Sequence, residues 1–166
     1  MRQLPLEILT AESFAAFGQV IRADEHAQRY LINQGSTERF HDLADIDTAT
    51  GDGRTLLSIF RGQPRMWPIQ LDMLECHPLG SQAFMPLNRH PYVVVVAPAG
   101  PLDETRIRAF LVTDGSGVNY TRGCWHHPLL ALEATSDFLV IDRGGTGMNL
   151  QEQTLDSPLY LDPASL

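Results

Sequence analysis

The sequence predicts a mainly β protein, an antiparallel sandwich or barrel preceded by one short helix. Three features point there. The apolar runs are short and rich in β-branched and aromatic residues. Gly, Pro, Asp and Asn punctuate them at the spacing of antiparallel strands, and the only strong helix signal lies close to the N-terminus. There Thr10 can cap a helix over Ala11 to Phe17, with Glu12 in its first turn and Gly18 placed to end it. Residues 36–50 leave room for a helical turn around His41-Asp42-Leu43. The strands follow at Thr55–Phe60, Tyr92–Val96, Ile107–Val112 and Phe138–Ile141.

At 166 residues, with no internal repeat, linker or low-complexity tract, the whole chain, 1–166, is expected to form one domain with a core of its own. Hydrophobic residues make up 43% and charged residues 19%, the balance of a globular protein. A formal charge of -8 with only 12 Lys+Arg argues against a nucleic-acid partner, which needs a concentrated basic surface. A small anion could still be held by a local arginine cluster. Met1-Arg2-Gln3-Leu4-Pro5 leads into no signal-like apolar run, and no stretch approaches the ~20 apolar residues of a membrane span, so a cytoplasmic protein is expected. Cys76 and Cys124 are too few for a disulfide framework and lack C-x-x-C spacing; two reduced thiols are expected.

Chemistry concentrates in two segments. In Trp67 to His77 the odd positions Trp67, Ile69, Leu71 and Met73 are apolar, and strand alternation carries Glu75 and His77 onward on that same face. A carboxylate and an imidazole buried there need partners, a metal or a substrate. Cys76 would point the other way. Alternatively the strand ends near Leu74, and both residues lie in a solvated turn before Pro78-Leu79-Gly80. The second segment, Gly117 to Pro128, places His126 and His127 after a glycine turn. Adjacent strand residues face opposite sides, so only one of the two can look into a given cavity.

These segments resemble the two motifs of the cupin superfamily, H-x-H-x(3,4)-E and P-x-G-x-x-H. Glu75-x-His77-x(4)-Gln82 sits at the first motif and Thr121-x-Gly123-x-x-His126 at the second. Glu75 stands for a histidine, Gln82 for the glutamate and Thr121 for the proline. Within the superfamily the chain resembles the ureidoglycolate lyases, also called ureidoglycolate hydrolases. The likeness is carried in order by Ile32 to Gly35 with Arg39 to Ala44, by Glu75 to Pro86, by Gly117 to Tyr120, by Trp125 to Leu129 and by Asp137 to Arg143. It implies a cupin-type, jelly-roll β-barrel with a short N-terminal helix, a homodimer, and cleavage of (S)-ureidoglycolate to glyoxylate and urea in allantoin and purine breakdown.

Such a cleavage needs a base to take the hydroxyl proton as the carbonyl forms, and an acid to protonate the departing nitrogen. The expected catalytic residues are His126 as base and a protonated His77, held by Glu75, as acid. If a divalent metal is bound, Glu75, His77, Gln82 and His126 would be its ligands. The substrate carboxylate calls for an arginine. Arg39, Arg61, Arg108 and Arg143 are candidates; Arg39 gains weight from its place in the Asn33-to-His41 block and Arg61 from closing an apolar strand. Asn33 and Gln82 could bind the urea end. His26 and His90 sit in polar or turn contexts and are read as surface residues, and Gly144 to Gly147 opens no helix that could hold a phosphate. Two other functions remain open: a metal-dependent cupin dioxygenase or isomerase, against which the Glu and Gln substitutions count, and a non-catalytic small-molecule-binding cupin.

Overall fold

The structure, a computed structural model, describes residues 2–165. The first elements are β1 (Arg2–Gln3), β2 (Leu6–Ile8), α1 (Ala11–Phe14), β3 (Gly18–Ile21), β4 (Gln28–Ile32) and β5 (Thr37–His41). Then come β6 (Arg54–Gly62), β7 (Ile69–Cys76), β8 (Gln82–Pro86), β9 (Tyr92–Ala97) and β10 (Arg108–Val112). The last are β11 (Gly117–Tyr120), β12 (Trp125–His126), β13 (Leu130–Ala131), β14 (Ser136–Gly144) and β15 (Gln151–Leu161). The protein is mainly β with one short helix; of the four strands expected from residue 55 onward, three fall inside β6, β9 and β14, and Ile107–Val112 begins one residue before β10.

The larger sheet runs β1-β15-β7-β12-β9-β10-β2, with β13 added on β9. Its two ends are consecutive pieces of chain: β1 pairs with β15, β2 pairs with β10, and the Leu4 amide between them donates to the Tyr160 carbonyl at 2.9 Å. The sheet therefore curls until one segment holds both of its edges, which leaves few unpaired backbone groups. Inside the curl lies an apolar core that includes Leu4, Leu6, Ile69, Leu71, Val93, Val95, Ala109, Leu159 and Leu161. The smaller sheet, β3-β11-β8-β14-β6, packs on the opposite face of β9 and β10. There Val94, Val96, Phe110 and Val112 meet Phe84, Val118, Tyr120, Phe138 and Val140, with Phe14 and Phe17 closing one end.

Three local expectations are corrected. The helix covers Ala11–Phe14 rather than continuing to Phe17. Thr10 caps its start as expected, and the structure adds a capping box: Thr10 accepts from the Ser13 amide while the Ser13 hydroxyl accepts from the Thr10 amide, both at 3.0 Å. Gly18 is not a helix stop. It opens β3 at φ 150, so close to β11 that a Cβ would stand 1.8 Å from the Asn119 carbonyl oxygen. The chain around His41 makes no helical turn: β5 ends there, and Asp42 takes a left-handed φ of 55.

A further correction concerns β7. Ile69 and Leu71 face the core of the curled sheet as expected, but so do Leu74 and Cys76, while Met73 is half-buried. The alternation slips by one residue at Asp72-Met73, opposite the point where the ladder to β15 jumps from Thr154 to Leu159. Glu75 thus lies on the other face from Ile69 and Leu71, toward the smaller sheet.

The slip fixes which truncation is costly. Leu74→Ala, at a position with no exposure, should lose about 2–5 kcal/mol of stability, and Met73→Ala should lose less. Urea denaturation of both variants checks this; the reverse order would put the slip in the wrong place.

Candidate active site

β12 is two residues long, yet it divides the cores. Trp125 enters the curled sheet's interior and His126 faces the smaller sheet. His126 is paired across the ladder with Glu75 on one side and Val96 on the other, so by strand geometry all three share a face. Opposite them the smaller sheet presents Tyr120 and Gln82, themselves cross-strand partners. The Tyr120 ring stacks on the His126 imidazole at 4.3 Å with an 8° tilt. His77, one residue past the end of β7, brings its ring to 5.1 Å from that of His126.

Among the described residues, Glu75, His77 and His126 form one group whose ligand-capable atoms all lie within 4.8 Å of one another. Gln82 joins it, its Oε1 3.1 Å from His77 Nε2. The Nδ1 of His77 lies 2.8 Å from the Asn149 carbonyl oxygen; a carbonyl only accepts, so this nitrogen carries the hydrogen. His126 is 1% exposed. Its Nδ1 faces acceptors, the His127 carbonyl at 3.4 Å and a Glu75 oxygen at 3.9 Å, while its Nε2 is buried with no partner. The hydrogen belongs on Nδ1, which leaves the Nε2 lone pair free for a substrate proton or a metal. A cavity of about 370 Å³ opens beside the group, lined by Glu75, Gln82 and His126 together with Phe60, Arg61, Gly62, Phe84, Pro128 and Leu129.

Burial moves the two acid–base groups in opposite directions. Loss of solvent raises the Glu75 carboxyl, against the pull of His77 and helped by Glu152 directly across the ladder. Loss of solvent, reinforced by His77, lowers His126 to about 3. Burial thus favours the neutral imidazole of His126 and the uncharged form of Glu75.

Of the other residues singled out by sequence, Arg61 lines the cavity, although Asp137 holds its Nε and Nη2 at 2.8 and 2.9 Å. Arg39 and Asn33 are not brought there. Both belong to the β4–β5 hairpin, whose two strands pair only with each other, and Asn33 donates its side-chain amide to Thr37 Oγ1 at 3.1 Å near the tip. Arg108 is tied to Glu7 and the Ser13 carbonyl, and Arg143 to the Thr50 and Thr146 carbonyls, so both act as braces. His26 and His90 are exposed, and both cysteines are free and buried. His127 stays outside the group, its Nδ1 2.8 Å from the Pro128 carbonyl oxygen. Sequence reasoning missed Asp142, which accepts from Gln82 Nε2 at 3.2 Å. The signal was present, because Phe138, Val140 and Asp142 form one two-residue stripe.

The family model described as ureidoglycolate lyase matches residues 1–162. The chain belongs to the ureidoglycolate lyase family. A ureidoglycolate lyase of Burkholderia mallei is 55% identical over 166 residues, which are 100% of this chain and 97% of that protein. Ureidoglycolate lyases of Brucella ovis and Pseudomonas syringae pv. tomato are 55% and 48% identical, with 95% and 98% of this chain covered and 92% and 97% of theirs. In the frame of this family, the Glu75–His77–His126 group is the chemically equipped part of the fold. No helix is long and apolar enough to cross a membrane among the described residues.

The lowered value of His126 links the site to stability. Between pH 6.5 and about 3 the unfolded chain takes up a proton that folded His126 refuses, so its contribution is full above 6.5 and is lost as pH falls through that window. The raised Glu75 acts in the opposite sense: its contribution is present below 4.5 and lost as pH rises through its folded value. In a Glu75→Gln background, melting temperature should fall from pH 7 toward pH 4, and adding His126→Gln should flatten the fall. Equal slopes with and without His126 would show that the imidazole is not buried as described.

Proposed function

We propose that the protein is a ureidoglycolate lyase that splits ureidoglycolate into glyoxylate and urea in the cavity beside β7 and β12. The observation that carries this reading is the meeting of Glu75, Gln82 and His126 from both sheets on one cavity, with His77 beside them at 3.1 Å from Gln82, in a chain matched along almost its whole length by proteins of that name.

The substrate carbon bears a hydroxyl, a carboxylate and a ureido nitrogen. Glu75 takes the hydroxyl proton, and the O–H electron pair forms the carbonyl of glyoxylate. The C–N pair leaves with the ureido nitrogen, which receives a proton from His77 Nε2 and departs as urea. Transfer of the proton from Glu75 to His77 resets the site. The lone pair on His126 Nε2 accepts a hydrogen bond from the same hydroxyl and orients it toward Glu75. Gln82 binds the urea end, and the part of the Arg61 guanidinium that Asp137 does not hold meets the substrate carboxylate.

The donor set also fits a divalent metal. His126 Nε2 is an orphaned buried donor, and His77 shows the carbonyl-anchored ring typical of a metal-ligating histidine. Glu75, His77 and His126, with Gln82, would hold the ion, and when bound it would polarise the hydroxyl and carboxylate oxygens.

A homodimer in the cytoplasm completes the proposal. The β4–β5 hairpin exposes Tyr30, Leu31 and Ile32, and β6 exposes Leu57 and Ile59, apolar surfaces of the kind a second copy covers. Arg39 and Asn33 would bear on a cavity only if the hairpin reached that of the partner.

Release of urea and glyoxylate from each ureidoglycolate enantiomer, with and without chelator, tests the function. Glu75→Ala, His77→Ala and His126→Ala should each lower kcat by about a hundredfold or more while staying folded, and His127→Ala should do less. An inactive wild type supplied with divalent metal would refute the assignment, and an inactive His127→Ala beside an active His126→Ala would turn the site inside out.

A further inference from the structure

The ladder between β8 and β14 ends at Ala83 and Ile141. One step further along the same register, Gln82 faces Asp142. Phe138 and Val140 are fully buried toward the smaller sheet's inner face, and Asp142 continues that stripe as a half-buried carboxylate. Its Oδ2 accepts a hydrogen bond from Gln82 Nε2 at 3.2 Å, and Gln82 Oε1 is thereby turned to His77 Nε2 at 3.1 Å.

A side-chain amide donates at one end and accepts at the other. A carboxylate only accepts, so Asp142 decides which end points into the site. With Asp142 in place the inward end is the oxygen, which suits a proton on His77 Nε2 or a cation between the two. Without it the amide can turn over and place its NH2 against His77, and the imidazole must then accept rather than donate. The polarity of that edge of the site is reversed.

We propose that Asp142 is a positioning residue for the reaction: it locks the Gln82 amide so that its oxygen, not its nitrogen, faces His77. This rests on the reading of the Glu75–His77–His126 group as the reacting site. Asp142 acts through Gln82 and does not touch substrate. Its removal should behave like loss of an outer hydrogen-bond partner, lowering kcat by about 10–100-fold with a smaller change in KM. Asp142→Asn retains an acceptor oxygen for Gln82 and should lose less than Asp142→Ala.

The decisive test is a reciprocal rescue. Gln82→Glu alone places two carboxylates opposite each other and should be slow. A carboxylate presents an oxygen whichever way it turns, so adding Asp142→Ala to Gln82→Glu should raise kcat above that of Gln82→Glu alone, while the lost amide contact to the urea end keeps it below wild type. A merely structural Asp142 would give a double variant at least as slow as the slower single one. Independently of turnover, NMR of the substrate-free protein should show a widely split pair of Gln82 side-chain amide proton shifts that collapses in Asp142→Ala. Near wild-type kcat in Asp142→Ala, absence of rescue, or an unchanged amide signal would each overturn the proposal. His126→Ala separates the two levels: if it keeps full turnover, the reacting site is elsewhere, whereas an inactive His126→Ala beside a fully active Asp142→Ala sinks only the positioning role.

Discussion

The wall made by β9 and β10 has an apolar core on each side, and the rest of the molecule is arranged around that constraint. A strand buried on both faces is ordinarily apolar throughout, and β9 obeys, with Tyr92 to Ala97 all buried. β7 does not, since Gln70 and Asp72 are exposed on the face opposite Ile69 and Leu71. Leu74 and Cys76 fill the core of the curled sheet while Glu75 turns to the other, and on β12 Trp125 and His126 divide in the same way. These polar side chains therefore emerge between the two sheets, close to the end of the second core, where solvent and substrate can reach them. Partners that satisfy them come from the facing sheet: Tyr120 stacks on His126, and Gln82 meets His77.

The cost of this arrangement accounts for its chemistry. Burying a carboxyl beside two imidazoles disfavours every charged form that lacks a partner. Glu75 rises and His126 falls for the same reason, so burial favours the uncharged form of both. The unpartnered Nε2 of His126 is the clearest trace of function, because a buried nitrogen without a hydrogen bond costs stability and is tolerated where a ligand supplies the missing contact. Braces such as Arg143, which clasps the Thr50 and Thr146 carbonyls, and Arg108, which pairs with Glu7, hold the surrounding loops and the N-terminal segment without entering the cavity.

Much of this was legible in the sequence where side chains repeat with a period. β9, β10 and β14 announce themselves by β-branched and aromatic runs, and the capping box by Thr10. The β4–β5 hairpin does not, because nearly all of it is exposed and nothing forces an alternation. β15 is hidden by its polar first half, Gln151 to Thr154, and by the irregularity that follows. The structure brings Glu75 and His77 together, but not along the stripe through Ile69 and Leu71, because the alternation slips at Asp72-Met73 and no local residue pattern signals it. The separation of His126 from His127 followed from strand alternation alone. The Arg108–Glu7 and Arg143–Thr50 braces, by contrast, join residues 101 and 93 positions apart in sequence, which no local pattern contains.

The central claim is that the cavity between the sheets, bounded by Glu75, His126, Gln82 and Arg61, is where substrate is held. A crystal of the protein soaked in glyoxylate, the smaller product, examines this directly. The account predicts glyoxylate in that cavity, with its aldehyde oxygen toward Glu75 and His126 and its carboxylate toward Arg61. Ordered glyoxylate in the groove between α1 and the β4–β5 hairpin, with the cavity beside His126 left empty, would contradict it.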